Sequence, residues 1–123
     1  MTSEELLAHA DVAAQKAYAP YSNYLVGAAA LARDGRVFAG ANVENAAYPL
    51  GICAEPSAIS RAAGEGLRPG DLEAIAITAS PCGGCRQWIR EWRFDRVYFR
   101  RADGSVAEHA GADLLPDGWD LPE

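Results

Sequence analysis

Three cysteines and one carboxylate are the residues in this chain whose types and spacing could do chemistry. Cys53 stands two residues before Glu55 in "CAEPSAIS", and Cys82 and Cys85 form a Cys-x-x-Cys pair in "SPCGGCRQ". Both segments put a cysteine where a helix is expected to begin. Backbone N–H groups and the helix dipole there favour thiolate over thiol. Thiolates bind Zn²⁺, and a Cys-x-x-Cys pair can take two corners of its tetrahedron. Cys53 would supply a third. Neither His9 nor His109 has matching spacing for a fourth. A structural zinc site closes with four protein ligands, whereas a catalytic one keeps a corner for water. Glu55 lies close enough to Cys53 to exchange a proton with such a water. The same residues admit other readings. Cys82 and Cys85 could be a redox pair, Cys53 a small buried hydrophobe, and Glu55 a favourable acid in a helix first turn.

Length and composition narrow the setting. A chain of 123 residues, half of them apolar, is expected to form one domain over 1–123 with a genuine core. Three cysteines are an odd count for a disulfide framework, which favours metal binding or catalysis in a reducing compartment. Seventeen acidic residues against 11 basic give a net charge of −6. The densest basic cluster, Arg86 to Arg101, is interrupted by Glu91 and Asp95. Binding a nucleic-acid backbone needs clustered cations, so a polynucleotide partner is disfavoured and a small, nearly neutral ligand is favoured. No apolar run approaches the ~18 residues of a membrane span. The start "MTSEELLAHADVAAQKAY" lacks a basic, cleavable leader pattern, so the protein is expected to be cytoplasmic.

The elements that must position these groups read in order as α-β-β-α-β-α-β-β. A helix is expected from Ser3, with Glu4 and Glu5 in its first turn, to about Tyr18. "LVGAAALA", 25–32, and "VFAGANV", 37–43, read as strands joined by a tight Asp34-Gly35 turn. "ENAAYPLGI" reads as a loop, and a helix follows from near Cys53 to about Ala63, with Pro56 tolerated in its first turn. "LEAIAITAS", "RVYFR" and "SVAEHA" read as strands, with a short helix after Pro81 between the first two. Alternation of strands and helices implies an α/β layered domain around one mixed sheet. The tail holds Leu114, Leu115 and Trp119 among prolines and glycines, a composition that docks on something.

The blocks "YAPYSNYLVGAA", "GANVENAAYPLGICAE", "PCGGCRQ" and "LLPDGW" occur in the order and at the spacing of the small, three-cysteine, zinc-dependent cytidine deaminases. The chain resembles that family over nearly its whole length. The resemblance implies a three-layer α/β/α domain with a mixed five-stranded sheet, one Zn²⁺ per subunit and a homotetramer with shared active sites. It implies Cys53, Cys82 and Cys85 as zinc ligands and Glu55 as the proton shuttle between water and the pyrimidine N3. The backbone at Ala54 would meet the base edge, and the carbonyl near Ser80 would hold the amino group. Asn42 and Glu44 match residues that bind the sugar hydroxyls, though read alone they are turn formers. Tyr24 stands where the family has a base-stacking aromatic. Trp119 matches a C-terminal aromatic that reaches a neighbouring subunit's pocket. The implied activity is hydrolytic deamination of free cytidine and deoxycytidine in pyrimidine salvage.

Two departures from the family pattern stand out. Pro56 occupies the position of an arginine that normally donates to the ligand sulfurs, and Tyr24-Leu25 replaces Phe-Pro. Arg86, next to Cys85, is a candidate substitute, and helix-end N–H groups are another. Competing readings are a deaminase of a modified cytidine or a blasticidin-like nucleoside, a non-catalytic zinc module, and a redox protein using Cys82 and Cys85.

Overall fold

The computed structural model describes residues 1–121; the last two residues of the expected domain, 122 and 123, lie outside them. Helix α1 covers Ser3–Ala14, strands β1 and β2 Gly27–Ala32 and Val37–Ala41, helix α2 Ala54–Gly64, and strand β3 Leu72–Ile77. Helix α3 covers Gly83–Glu91, and strands β4 and β5 cover Arg96–Arg100 and Val106–His109. The expected order of helices and strands holds. The five strands form one mixed sheet in the order β2-β1-β3-β4-β5, antiparallel except for the β3–β4 pair. No helix among the described residues is long and apolar enough to cross a membrane.

Strand alternation divides the core into two layers. Ala28, Ala30, Ile75, Ile77, Val97 and Phe99 face α2 and α3, whose Ala58, Ile59 and Ile89 meet them. Ala29, Leu31, Ala74 and Ala76 face α1 and its Leu6, Leu7 and Ala10. β1 is buried along its whole length, which suits its run of small apolar residues. The result is the three-layer α/β/α arrangement. Small residues set the layer spacing: a Cβ on Gly40 would sit 2.4 Å from the Ala58 backbone nitrogen of α2.

Helix α1 begins at Ser3 as expected, with Thr2 as its N-cap, but two other local expectations change. Thr2 Oγ1 accepts from the Glu5 N–H at 3.1 Å, and Glu5 Oε1 accepts from the Thr2 N–H at 3.2 Å, a reciprocal capping box. The helix ends at Ala14 rather than Tyr18. Tyr18 is drawn away by backbone bonds to the chain after β2, its N–H donating to the Asn42 carbonyl and its carbonyl accepting from Glu44. The β1–β2 turn has three residues, not two: Gly35 N–H donates to the Ala32 carbonyl and Ala32 N–H to the Arg36 carbonyl. Gly35 alone takes a left-handed φ, +96°, as a glycine bulge after a type I turn does.

This topology brings three strand ends together. β2, β3 and β4 run in one direction and β1 in the other, so the C-terminal ends of the first three share an edge with the start of β1. Ligands in open α/β sheets bind at such an edge. Gly40→Ala should force α2 off the sheet and destabilise the fold by about 3 kcal/mol or more, above the usual range for overpacking because the clash is with backbone; urea denaturation measures it. An unchanged midpoint would contradict the close α2–β2 packing.

Candidate active site

Cys53 and Cys82 are the N-cap residues of α2 and α3, so two helix N-termini converge at the strand-end edge. Cys85 lies in the first turn of α3, buried. The three Sγ atoms lie within 4.8 Å of one another, with Cys82 and Cys85 at 3.4 Å. Tetrahedral Zn–S bonds of ~2.3 Å would separate sulfurs by roughly 3.8 Å, so this triangle is the right size for one ion. The donor set also fits: three soft donors and, among the described residues, no fourth protein ligand in the cluster.

Glu55 is 3 % exposed, although it carries an ionisable group in the first turn of α2. Burial pushes its carboxyl above the usual range, against weaker opposing bonds from its own N–H and the Cys85 thiol. Burial, then the Glu55 charge, pushes the Cys85 thiol far up. Burial raises Cys53 as well. Cys82 is shifted down: burial opposes this, but the Cys85 N–H and the neighbouring sulfurs outweigh it. Burial thus holds Cys53, Cys85 and Glu55 toward their neutral forms, and a cation sharing the site would relieve that penalty.

Arg86 does not reach the sulfurs. Its guanidinium donates to the carbonyls of Pro81 and Leu114 at 3.0 and 3.1 Å and to Ser80 Oγ at 3.3 Å. It braces the loop before α3 against the C-terminal segment. The expected helix-end donor is found instead, with Cys85 N–H to Cys82 Sγ at 3.4 Å. Pro56 is buried in the first turn of α2, where its missing N–H costs little.

A cavity of about 580 Å³ opens over the sulfurs and Glu55. Tyr24, Asn42, Glu44, Ala54 and Ser80 all line it. Trp119 does not line it; its indole is on the surface, 63 % exposed, and its carbonyl accepts from Gln87 Nε2. Asn42 Nδ2 donates to the Tyr24 carbonyl and its Oδ1 accepts from the Val26 N–H, both at 2.9 Å. These bonds pin the start of β1 to the end of β2. Glu44 Oε1 accepts from the Tyr21 and Ser22 N–H groups at 3.0 and 3.1 Å, and Oε2 accepts from the Ser22 hydroxyl. The Ser22 hydroxyl bond is the main reason its carboxyl lies below the ordinary value. Sequence reading missed Ser22, Val26, Thr78, Arg100 and Arg101, which also line the cavity. Strand alternation continued past Phe99 would have pointed to Arg101.

Residues 1–101 match the family model described as "Cytidine and deoxycytidylate deaminase zinc-binding region". The chain is 41 % identical to the cytidine deaminase of Sporosarcina psychrophila, over 97 % of this chain and 92 % of that one. It is 42 % identical to that of Halalkalibacterium halodurans, over 97 % and 95 %. The crystal structure of cytidine deaminase from Burkholderia pseudomallei superposes with a TM-score of 0.91 at 44 % identity, covering 97 % of this chain and all of that one. The cytidine deaminase of Mycobacterium tuberculosis superposes at 0.84, with 37 % identity, 98 % of this chain and 99 % of that one.

Purified protein should carry one zinc per chain by elemental analysis, and Cys85→Ser should lose it. Chelation should lower thermal stability, because a ligand present at about a thousandfold its Kd contributes about 4 kcal/mol to the folded state. A melting temperature indifferent to chelator, in protein shown to contain zinc, would contradict a folded-state site.

Proposed function

The chain belongs to the cytidine and deoxycytidylate deaminase zinc-binding family, and from that premise we propose that it hydrolyses free cytidine and deoxycytidine to uridine and deoxyuridine with release of ammonia. The observation that carries this reading is the buried Glu55 carboxyl sharing one cavity with three convergent sulfurs. A non-catalytic zinc module gains nothing from burying that acid.

Cys53, Cys82 and Cys85 hold the zinc in this reading, and the metal supplies a Lewis acid that makes water nucleophilic near neutral pH. Glu55 takes the proton that water gives up and passes it to the pyrimidine N3 as C4 is attacked. It then takes the second proton, from the new C4 hydroxyl, and delivers it to the amino nitrogen, which leaves as ammonia as the C4 carbonyl forms. Its raised pKa suits a group that must both accept and return a proton. The Ala54 backbone meets the base edge and the Ser80 carbonyl accepts from the amino group. Tyr24 lends its ring face to the flat base. Asn42 and Glu44 receive the sugar hydroxyls. Their existing bonds to segment 21–26 hold them rigid for that task.

The whole chain acts as one domain, in the cytoplasm, in pyrimidine salvage. It works as a homotetramer with shared active sites. A second cavity of about 530 Å³ adjoins the first through Ser22, Asn42, Glu44 and Cys53. Tyr21, Val43, Tyr48 and Ile52 leave it largely apolar and exposed, Tyr48 at 92 %. Exposed apolar surface of this kind supports a covering copy. Trp119, exposed and outside its own cavity, is placed by this reading in a neighbour's.

Glu55→Gln should retain zinc and fold while losing at least about 10²-fold in kcat by ammonia release. Retained turnover would remove Glu55 from the reaction. Sedimentation should give four chains per particle, and Trp119→Ala should raise KM for cytidine; a fully active monomer would contradict site sharing.

A further inference from the structure

Two arginines follow one another at the end of β4, and the fold uses them differently. Tyr98 packs against the layer under α1, whereas Val97 and Phe99 lie under α2 and α3. Arg100 has the parity of Tyr98. Its guanidinium is clasped by the Asp11 carboxylate of α1, with Nη2 to Oδ2 at 2.8 Å. Arg101 has the parity of Phe99. Its N–H donates to the Ser105 carbonyl at 2.8 Å, so the β4–β5 ladder continues through it and the alternation holds. Arg101 is therefore on the face that carries the cysteines and Glu55, and it lines their cavity; Arg100 also lines it, but with its guanidinium held by Asp11.

Arg101 is exposed and enters no ion pair among the described residues. Its one side-chain bond there runs from Nη1 to Ser105 Oγ at 3.3 Å. Asp103, on the same turn, accepts from the Ser105 N–H and hydroxyl. Those bonds, and after them the Arg101 charge, hold the Asp103 carboxyl below its ordinary value. Glu44 and Glu55 face the same cavity, so an anionic ligand entering it would be repelled without a cation.

Sheet order sets where Arg101 stands. Asn42 and Glu44 follow β2, and Arg101 follows β4, three strands away. That is about 14 Å at ~4.8 Å per strand. The parallel β3–β4 register ends at Ile77↔Phe99, and two residues beyond it on each strand come Ala79 and Arg101, which line the cavity together with Ser80. This inference rests on the function proposed above, in which the sugar meets Asn42 and Glu44 and the amino group meets Ser80. The pyrimidine edge turned toward β4 is then the one bearing the amino group and C5. A C–H at C5 offers a guanidinium nothing, whereas a carboxylate there matches its fork.

We propose that Arg101 is a specificity-determining residue, and that it adapts the site to cytosine nucleosides carrying an anionic substituent, such as a carboxylate, on C5. The test uses the zinc-loaded full chain and measures kcat/KM by ammonia release. The substrates are cytidine, 5-carboxycytidine and cytidine 5′-monophosphate, for wild type, Arg101→Ala and Arg101→Lys. The ratio of 5-carboxycytidine to cytidine should fall at least tenfold in Arg101→Ala, through KM, and recover in part with lysine. In wild type it should fall with added salt, a measurement that needs no variant to fold. The monophosphate ratio should not move. A 5-carboxycytidine ratio indifferent to both Arg101→Ala and salt would overturn the proposal. So would a loss confined to the monophosphate, which would put the anion on the sugar side. Failure of wild type on cytidine itself would sink the proposed function first, and this inference with it.

Discussion

A buried carboxyl and three crowded sulfurs need a positive charge, and the rest of the molecule is arranged around that need. Burial penalises every one of these groups in its ionised form. A divalent cation among them reverses the penalty at once, turning mutual repulsion into shared attraction. The protein's own contribution is smaller. Two helices begin at the site and offer N–H groups there. No arginine does so among the described hydrogen bonds, because Arg86 is committed to two carbonyls and a hydroxyl. With Pro56 next to Glu55, three thiolates holding one Zn²⁺ would leave a net −1 centre with backbone dipoles to tune it.

Holding these groups in register falls to the sheet. Three strands deliver their C-terminal ends to one edge, and each is followed by residues that line the cavity. β1, antiparallel to its neighbours, contributes its beginning instead, pinned by Asn42 through two bonds to segment 24–26. Alanine and glycine along the central strands let helices pack close on both faces. The cavity therefore spans the sheet: Asn42 and Glu44 follow β2, Ala79 and Ser80 follow β3, and Arg101, in no ion pair among the described residues, follows β4.

Much of this was legible in the residues. Strand period and Asp-Gly and Pro-Gly punctuation carry the element order, and cysteines at helix starts mark the sulfurs that could bind a metal. The convergence of Cys53 with Cys82 and Cys85 was not local information, because it needs α2 and α3 to start at the same edge. Asn42 and Glu44 looked like loop residues, and their hydrogen bonds show that they are structural braces as well. The end of α1 was misjudged because Tyr18 answers to a tertiary partner beyond β2, which overrides a continuing apolar face. Arg101 was hidden in a basic run until the alternation of β4 separated it from Arg100.

The most direct test is X-ray absorption at the zinc K-edge on protein as purified. Three sulfurs at ~2.3 Å and one oxygen or nitrogen near 2.0 Å are the expected shell. Four sulfurs, two sulfurs, or no zinc at all would contradict an open three-thiolate centre beside Glu55.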